Sequence, residues 1–324
     1  MRDLWNREID YIRISVTDRC NLRCVYCMPE EGIESISHDR ILTFDEIARI
    51  CRVMAQSGLK KIKLTGGEPL IRRGIVSLVR QLKEVPGIEQ VTLTTNGILL
   101  EEMADDLVSS GIDAVTVSLD TLDRERFRQM TRRDELPRVL EGIRAMRRHP
   151  QIPLKINCLL QEPEKDLLAV ANLARIQPVH VRFIEVMPIG YGRQMKFVKE
   201  EHLRELLMKH YGTLMPCGDV LGNGPAVYFS LEGFQGKIGF ISAVSHKFCN
   251  SCNRVRLTSD GFLKTCLQYD TGVRLKEPMQ AGCSDEELAS LIAQAIREKP
   301  VGHEFDKKGL VAGEEVRTMS QIGG

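Results

Sequence analysis

No segment of this 324-residue chain approaches the roughly 20 consecutive apolar residues that a membrane-spanning helix needs. Charge is balanced: 45 basic and 44 acidic residues leave a formal net charge of +1, so no bulk field draws in nucleic acid or an anionic membrane. Internal repeats and low-complexity tracts are absent. The opening segment, MRDLWNREIDYIRIS, is too charged for a secretory signal and has neither the Ser content nor the basic amphipathic bias of a transit peptide. These absences point to a cytoplasmic protein that handles neither nucleic acid nor membrane. The apolar fraction of 43% is ample for a core, and the length suits one large α/β domain, or a large and a small one.

Cysteine, by contrast, is plentiful. Ten in a reducing compartment argue for metal or redox chemistry rather than disulfides. Cys20, Cys24 and Cys27 form a C-x3-C-x2-C loop with no fourth cysteine beside it. Cluster-binding cysteines usually come in fours, so a [4Fe–4S] cube held by these three leaves one iron open to another ligand. A structural zinc site is the alternative, although it also wants four ligands and favours C-x2-C pairs. A second triplet, Cys249, Cys252 and Cys266, lies near the other end in a C-x2-C-x13-C arrangement. Cys51, Cys158, Cys217 and Cys283 are isolated and read as structural, since free cysteine behaves as a small hydrophobe.

Between the triplets, strand-like and helix-like runs alternate. Strands are expected at 11–17, 61–65, 90–95, 114–120, 154–160 and 179–186, with helices near 75–83, 100–109, 136–147 and 165–174. The first helix opens with a Thr43/Glu46 capping box, buries Ile47, Ile50, Cys51 and Met54, and closes at Ser57-Gly58. Such βα units imply a parallel sheet with right-handed crossovers. A doubly covered parallel strand should be apolar on both faces, but here Ile12 and Ile14 alternate with Arg13 and Ser15, and Ile62 and Leu64 with Lys61, Lys63 and Thr65. Thr92, Thr94 and Asn96, then Thr116, Ser118 and Asp120, continue the polar face. The fold class is therefore α/β, a partial (β/α)6 TIM-like barrel with a roomy polar lumen, over residues 1–190. Residues 191–324 read as a C-terminal cap rich in β-hairpins, at 226–241 and 254–267, carrying the second triplet. A helix is expected at 199–210, and the chain ends Gly323-Gly324.

The cysteine loop follows the first strand, at the rim where parallel barrels keep their sites. Thr65-Gly66-Gly67-Glu68-Pro69 leaves the second strand at the same rim, with two glycines for close backbone approach and Glu68 to accept from an amine. CNLRCVYC followed by TGGEP resembles the radical S-adenosylmethionine (SAM) superfamily, in which SAM chelates the open iron and the GGEP-type turn meets its amino group. FCNSCNRVRLTSDGFLKTCL narrows the resemblance to the GTP 3′,8-cyclase family, over essentially the whole chain.

That resemblance implies two [4Fe–4S] clusters, on Cys20, Cys24 and Cys27 and on Cys249, Cys252 and Cys266. It implies SAM contacts from Tyr26, Gly66, Gly67, Glu68, Ser118 and Met187, and GTP contacts from Arg13, Lys63, Thr94, Lys155 and Arg254-Val255-Arg256. Lys63 stands where the family often has arginine. The implied reaction removes the ribose 3′ hydrogen and closes a bond to guanine C8, giving 3′,8-cyclo-7,8-dihydro-GTP, the first step of molybdenum cofactor biosynthesis. Arg256, Gly323 and Gly324 are the implied catalytic group. Partners are an electron donor and a downstream cyclic pyranopterin monophosphate synthase, with a homodimer possible. Independently, parity turns Arg13, Lys63 and Lys155 inward, with Arg182 a fourth, and such cations need a polyanion. The competing readings are a radical SAM peptide maturase and a two-cluster electron carrier. His246 is a candidate fourth ligand of the second cluster.

Overall fold

The computed structural model describes residues 1–34, 36–218, 221–305 and 313–323; Gly324 lies outside the described residues. The expected units form in order: β1 (Tyr11–Ser15), α1 (Phe44–Gln56), β2 (Lys61–Thr65), α2 (Ile75–Lys83), β3 (Gln90–Thr95), α3 (Leu100–Ser109) and β4 (Ala114–Ser118). Two helices then follow, α4 (Arg124–Thr131) and α5 (Leu136–Arg147), before β5 (Leu154–Leu159), α6 (Glu164–Ile176) and β6 (His180–Ile184). Both halves of the Thr43/Glu46 capping box are made, and Ile47, Ile50, Cys51 and Met54 are fully buried. Helix α4 was not legible beforehand: RERFRQMT buries only Phe127, Met130 and Thr131, too short an apolar stripe to stand out.

The remaining elements are α7 (Glu200–Tyr211), β7 (Met215–Cys217), β8 (Val227–Ser230), β9 (Ile238–Ile241), β10 (Arg254–Leu257), β11 (Phe262–Lys264), β12 (Gly272–Arg274), α8 (Lys276–Gln280), α9 (Asp285–Arg297) and α10 (Met319–Ile322). Both expected hairpins form, β8–β9 and β10–β11. They do not stand apart from the parallel sheet. Strand β10 pairs parallel with β1, and β9 pairs parallel with β6, so one 12-stranded sheet runs β12-β11-β10-β1-β2-β3-β4-β5-β6-β9-β8-β7. Eight parallel strands thus curve round the lumen, and β12 and β7 end the order without pairing to each other. The barrel is open.

Parity decides where the core sits. Ile12, Ile14, Ile62, Leu64, Val91, Leu93, Val115, Val117, Ile156 and Cys158 are fully buried against the outer helices and form one continuous apolar cluster with them. Phe183 on β6, Phe240 on β9 and Phe229 on β8 extend that cluster across the seam, with ring centroids 6.1 and 5.8 Å apart. Among the described residues no helix is long and apolar enough to cross a membrane. The seam gives a first prediction. Phe183→Ala should destabilise the cluster-free chain by about 3–5 kcal/mol, read as a lowered denaturant midpoint; an unchanged midpoint would show that β9 is held by other contacts.

Candidate active site

A cavity of about 590 Å³ runs through the lumen and is lined by both cysteine triplets. They lie at opposite rims. Cys20, Cys24 and Cys27 follow β1 and so sit at the C-terminal ends of the parallel strands. The Asn253 carbonyl accepts from the amides of Asp10 and Tyr11, which places Cys249 and Cys252 at the N-terminal ends. Cys266 returns there after the antiparallel β11. The second triplet therefore lies at the opening opposite the first cysteine loop.

At the first rim, the glycines of the GGEP turn approach protein rather than only a ligand. A Cβ on Gly67 would lie 2.2 Å from the Arg19 carbonyl oxygen, and one on Gly66 would lie 2.7 Å from that of Thr17. The Gly67 and Glu68 amides donate to the Thr17 and Arg19 carbonyls at 2.7 and 2.8 Å. This stitches the turn to the cysteine loop. Glu68 is buried and accepts from the Leu70 amide, the Thr95 hydroxyl and the Asn96 amide. Burial nevertheless pushes its carboxyl up to about 7. Asn96 in turn donates to Asn21 Oδ1 at 2.7 Å and approaches Cys20 Sγ at 3.9 Å. Tyr26 donates its phenol to Asp120 at 2.8 Å, and Asp120 also accepts from the Leu159 amide. Ser118 and Met187 line the same end.

The three thiols crowd one another. Burial, then Glu68, raises Cys20 to about 11, and burial, then Cys20, raises Cys27 to about 12. Burial and its two neighbours push Cys24 well above its ordinary value. Such thiols ionise only against a strongly positive group, which an iron cluster supplies. Among the described residues no three Cys, His, Asp or Glu side chains are grouped to hold a single metal ion. A cube takes each thiolate on a different iron and needs no such convergence.

The predicted cations meet in the middle. Arg13 pairs in register with Arg256 on one side and Lys63 on the other, so three cations stand side by side on β10, β1 and β2. Thr94, Lys155, Arg182 and Arg254 line the same cavity. Burial lowers Lys63 well below its ordinary value, and Arg182, Arg13 and Lys155 add to the effect. Burial, then Arg182, brings Lys155 to about 8. Arg256 is lowered by burial and by Arg13 and Arg254. Arg182 is held by Asn157 Oδ1 at 2.9 Å and the Thr116 hydroxyl at 3.1 Å, and Arg254 lies over the Phe248 ring. Val255 turns its side chain into the core. A row of buried like charges is a receptor for a polyanion.

At the second rim the thiols diverge, and burial raises Cys249. Burial alone would raise Cys252, but Lys299, Arg254 and Arg7 bring it below its ordinary value. Arg7 pairs with Asp3 at 2.6 Å and donates to the carbonyls of Cys249, Pro300 and Val301. The His303 amide donates to Cys249 Sγ at 3.5 Å. His246 is exposed, 3.9 Å from Glu200, and is not among the cavity-lining residues; His303 is. From the C-terminal segment, the Gly323 carbonyl accepts from Arg256 Nη1 at 3.0 Å and from the Thr65 hydroxyl at 3.2 Å. Gly323 has φ +80°, and a Cβ there would lie 3.0 Å from Ser15 Cβ, so the position suits glycine.

Several contributors were not foreseen. Asn96 and Asp120 share the polar strand face already visible in the sequence, yet that face assigns no role. Arg7, Lys264 and Lys299 line the cavity from distant segments, where no local pattern marks them.

A three-cysteine loop after the first strand of an open parallel sheet, with a GGEP turn stitched to it, defines a radical SAM protein. The profile of the Radical SAM superfamily matches residues 14–174, and that of Molybdenum Cofactor Synthesis C matches 179–305. The curated GTP 3′,8-cyclase of Clostridium perfringens (strain SM101 / Type A) is 45% identical over 326 residues, and that of Moorella thermoacetica is 44% identical over 328, each covering 100% of both chains. Streptococcus suis SuiB bound to S-adenosylmethionine shares the fold at TM-score 0.61 and 14% identity, over 90% of this chain and 68% of that one. Native anSMEcpe with bound AdoMet does so at 0.56 and 15%, over 91% and 82%. The chain belongs to the GTP 3′,8-cyclase family, whose cofactors are SAM and [4Fe–4S] clusters. Gly67→Ala should push the turn off the cysteine loop, and the reconstituted protein should then lose about half of its iron, that of one cube. Full iron content by colorimetric assay would show that the turn does not shape the first site.

Proposed function

We propose that this chain cyclises GTP to 3′,8-cyclo-7,8-dihydro-GTP in the first committed step of molybdenum cofactor biosynthesis, working in the cytoplasm. The observation that carries the reading is a single cavity with a cysteine triplet at each rim and a row of buried cations between them. Cys20, Cys24 and Cys27 hold one cluster, and Cys249, Cys252 and Cys266 the other. Tyr26, Gly66, Gly67, Ser118 and Met187 receive SAM, while Glu68 shapes the turn that meets it. If bound on the reduced first cluster, SAM would supply a 5′-deoxyadenosyl radical to take the ribose 3′ hydrogen, and closure on guanine C8 would be completed by one electron and one proton from the external donor and solvent.

The protein's share is position and charge. Arg13, Lys63, Lys155 and Arg182 take the triphosphate, with Thr94 beside them. Lys63 makes a point-charge contact where arginine would be bidentate. Arg254, the Val255 backbone and Arg256 face the nucleotide near the second cluster. Arg256 and the diglycine Gly323-Gly324 complete the catalytic group. The lumen walls exclude water and hold the ribose, since small misplacement costs orders of magnitude in rate. An external electron donor, a downstream synthase that consumes the product and a homodimeric state complete the proposal. The full-length relatives favour this reading over a peptide maturase.

Anaerobic incubation of the reconstituted enzyme with reductant, SAM and GTP should give 5′-deoxyadenosine together with a nucleotide isomeric with GTP by mass spectrometry. 5′-Deoxyadenosine that forms equally without GTP, with no isomer, sinks the substrate assignment. The cation row adds a pH prediction. Lys155, at about 8, holds the polyanion only while protonated. GTP affinity is therefore fully present below about pH 8 and falls as pH rises through it. Lys155→Met should weaken GTP by about tenfold or more at pH 7 and flatten the dependence above pH 8; an unchanged binding isotherm would remove Lys155 from the site.

A further inference from the structure

Beside the residues before the diglycine lies an ion triad, with Lys264 and Glu315 buried and Arg317 partly exposed, that no part of the proposed chemistry uses. Lys264, on β11, and Glu315 have side chains 0% and 1% exposed, with Nζ and the carboxylate 2.5 Å apart. Arg317 adds a second contact to Glu315 at 2.8 Å and stacks over Phe262, the first residue of β11. Lys264 Nζ also donates to the Tyr269 carbonyl. Burial works against the carboxylate, yet Arg317 and Lys264 hold it at about 2, so it is charged throughout the neutral range. Lys264 is the register partner of Arg256, the residue that grips the Gly323 carbonyl.

Downstream of the triad the chain makes two contacts with chemistry-bearing groups. Ser320 lies beside Cys27 of the first triplet and favours its thiolate. Ile322 packs with Ile189 and Phe305, and Gly323 reaches Arg256 and Thr65. We propose that Lys264, Glu315 and Arg317 form an electrostatic latch that seats residues 318–323, so that one short segment touches both the first cysteine site and the cation row. The latch works by compensation. With Glu315 neutral, Lys264 is a buried charge beside a second cation, and the segment lifts away to let water in; with both charges removed it closes again. This rests on the reading of the diglycine as part of the active site, whereas seating itself is measured without it.

The test uses the full chain with both clusters reconstituted, and compares wild type, Glu315→Gln, and Glu315→Gln combined with Lys264→Met. Amide hydrogen exchange over residues 318–323 should run at least about tenfold faster in the single variant and return toward wild type in the double variant. The electron paramagnetic resonance signal of the reduced first cluster should shift in the single variant, as Ser320 leaves Cys27, while iron and sulfide content stays the same. Unchanged exchange and an unchanged signal overturn the latch. So does iron loss in both variants, which would make the triad part of the general fold. Fast exchange with undiminished product formation supports the latch and removes the diglycine from the chemistry.

Discussion

Like charges on neighbouring strands are the constraint from which the rest of this molecule follows. Arg256, Arg13 and Lys63 stand in register on neighbouring parallel strands, and burial together with their cationic neighbours lowers the pKa of each. Such a row cannot share its space with a packed apolar interior. The lumen must stay polar and roomy, and the sheet stays open. The main hydrophobic core is displaced to the outer face, where Ile12, Ile62 and their counterparts meet the helices, and only a small cluster around Ile189, Phe305 and Ile322 remains on the lumen side. Architecture and ligand chemistry are thus two readings of one strand pattern.

The cavity is also electrically polarised along its length. The rim of the first triplet gathers Glu68, Asp120 and Glu185, and its thiols are harder to ionise than usual. The opposite rim gathers Arg7, Arg254 and Lys299, and Cys252 there is easier to ionise.

Much of this was legible in the residues, for physical reasons that can be named. The Thr43/Glu46 box, the strand parity and the cysteine spacings are local signals, and each reports geometry within one element. Helix α4 was invisible because only two apolar residues, Phe127 and Met130, are buried along it. That β10 and β9 join the parallel sheet on either flank was also beyond reach, because partners as distant as Tyr11 and Arg254, or Val181 and Ile238, leave no periodic trace. The Glu68 turn was half understood. Its glycines were read as making room for a ligand, whereas they first make room for the carbonyls of Thr17 and Arg19. Arg7 reads as one charge among many until the fold carries it to Cys249.

That last contact bears on how the molecule comes into being. The loop around Cys20, Cys24 and Cys27 takes its framing from Asn96, Asp120, Thr131 and Arg132, all within the first 132 residues. The far rim draws on Arg7, on residues 249–266 and on the 299–303 stretch together. The first site therefore draws its frame mainly from the first 132 residues, whereas the second assembles only once segments 242 residues apart, around Arg7 and Cys249, have met.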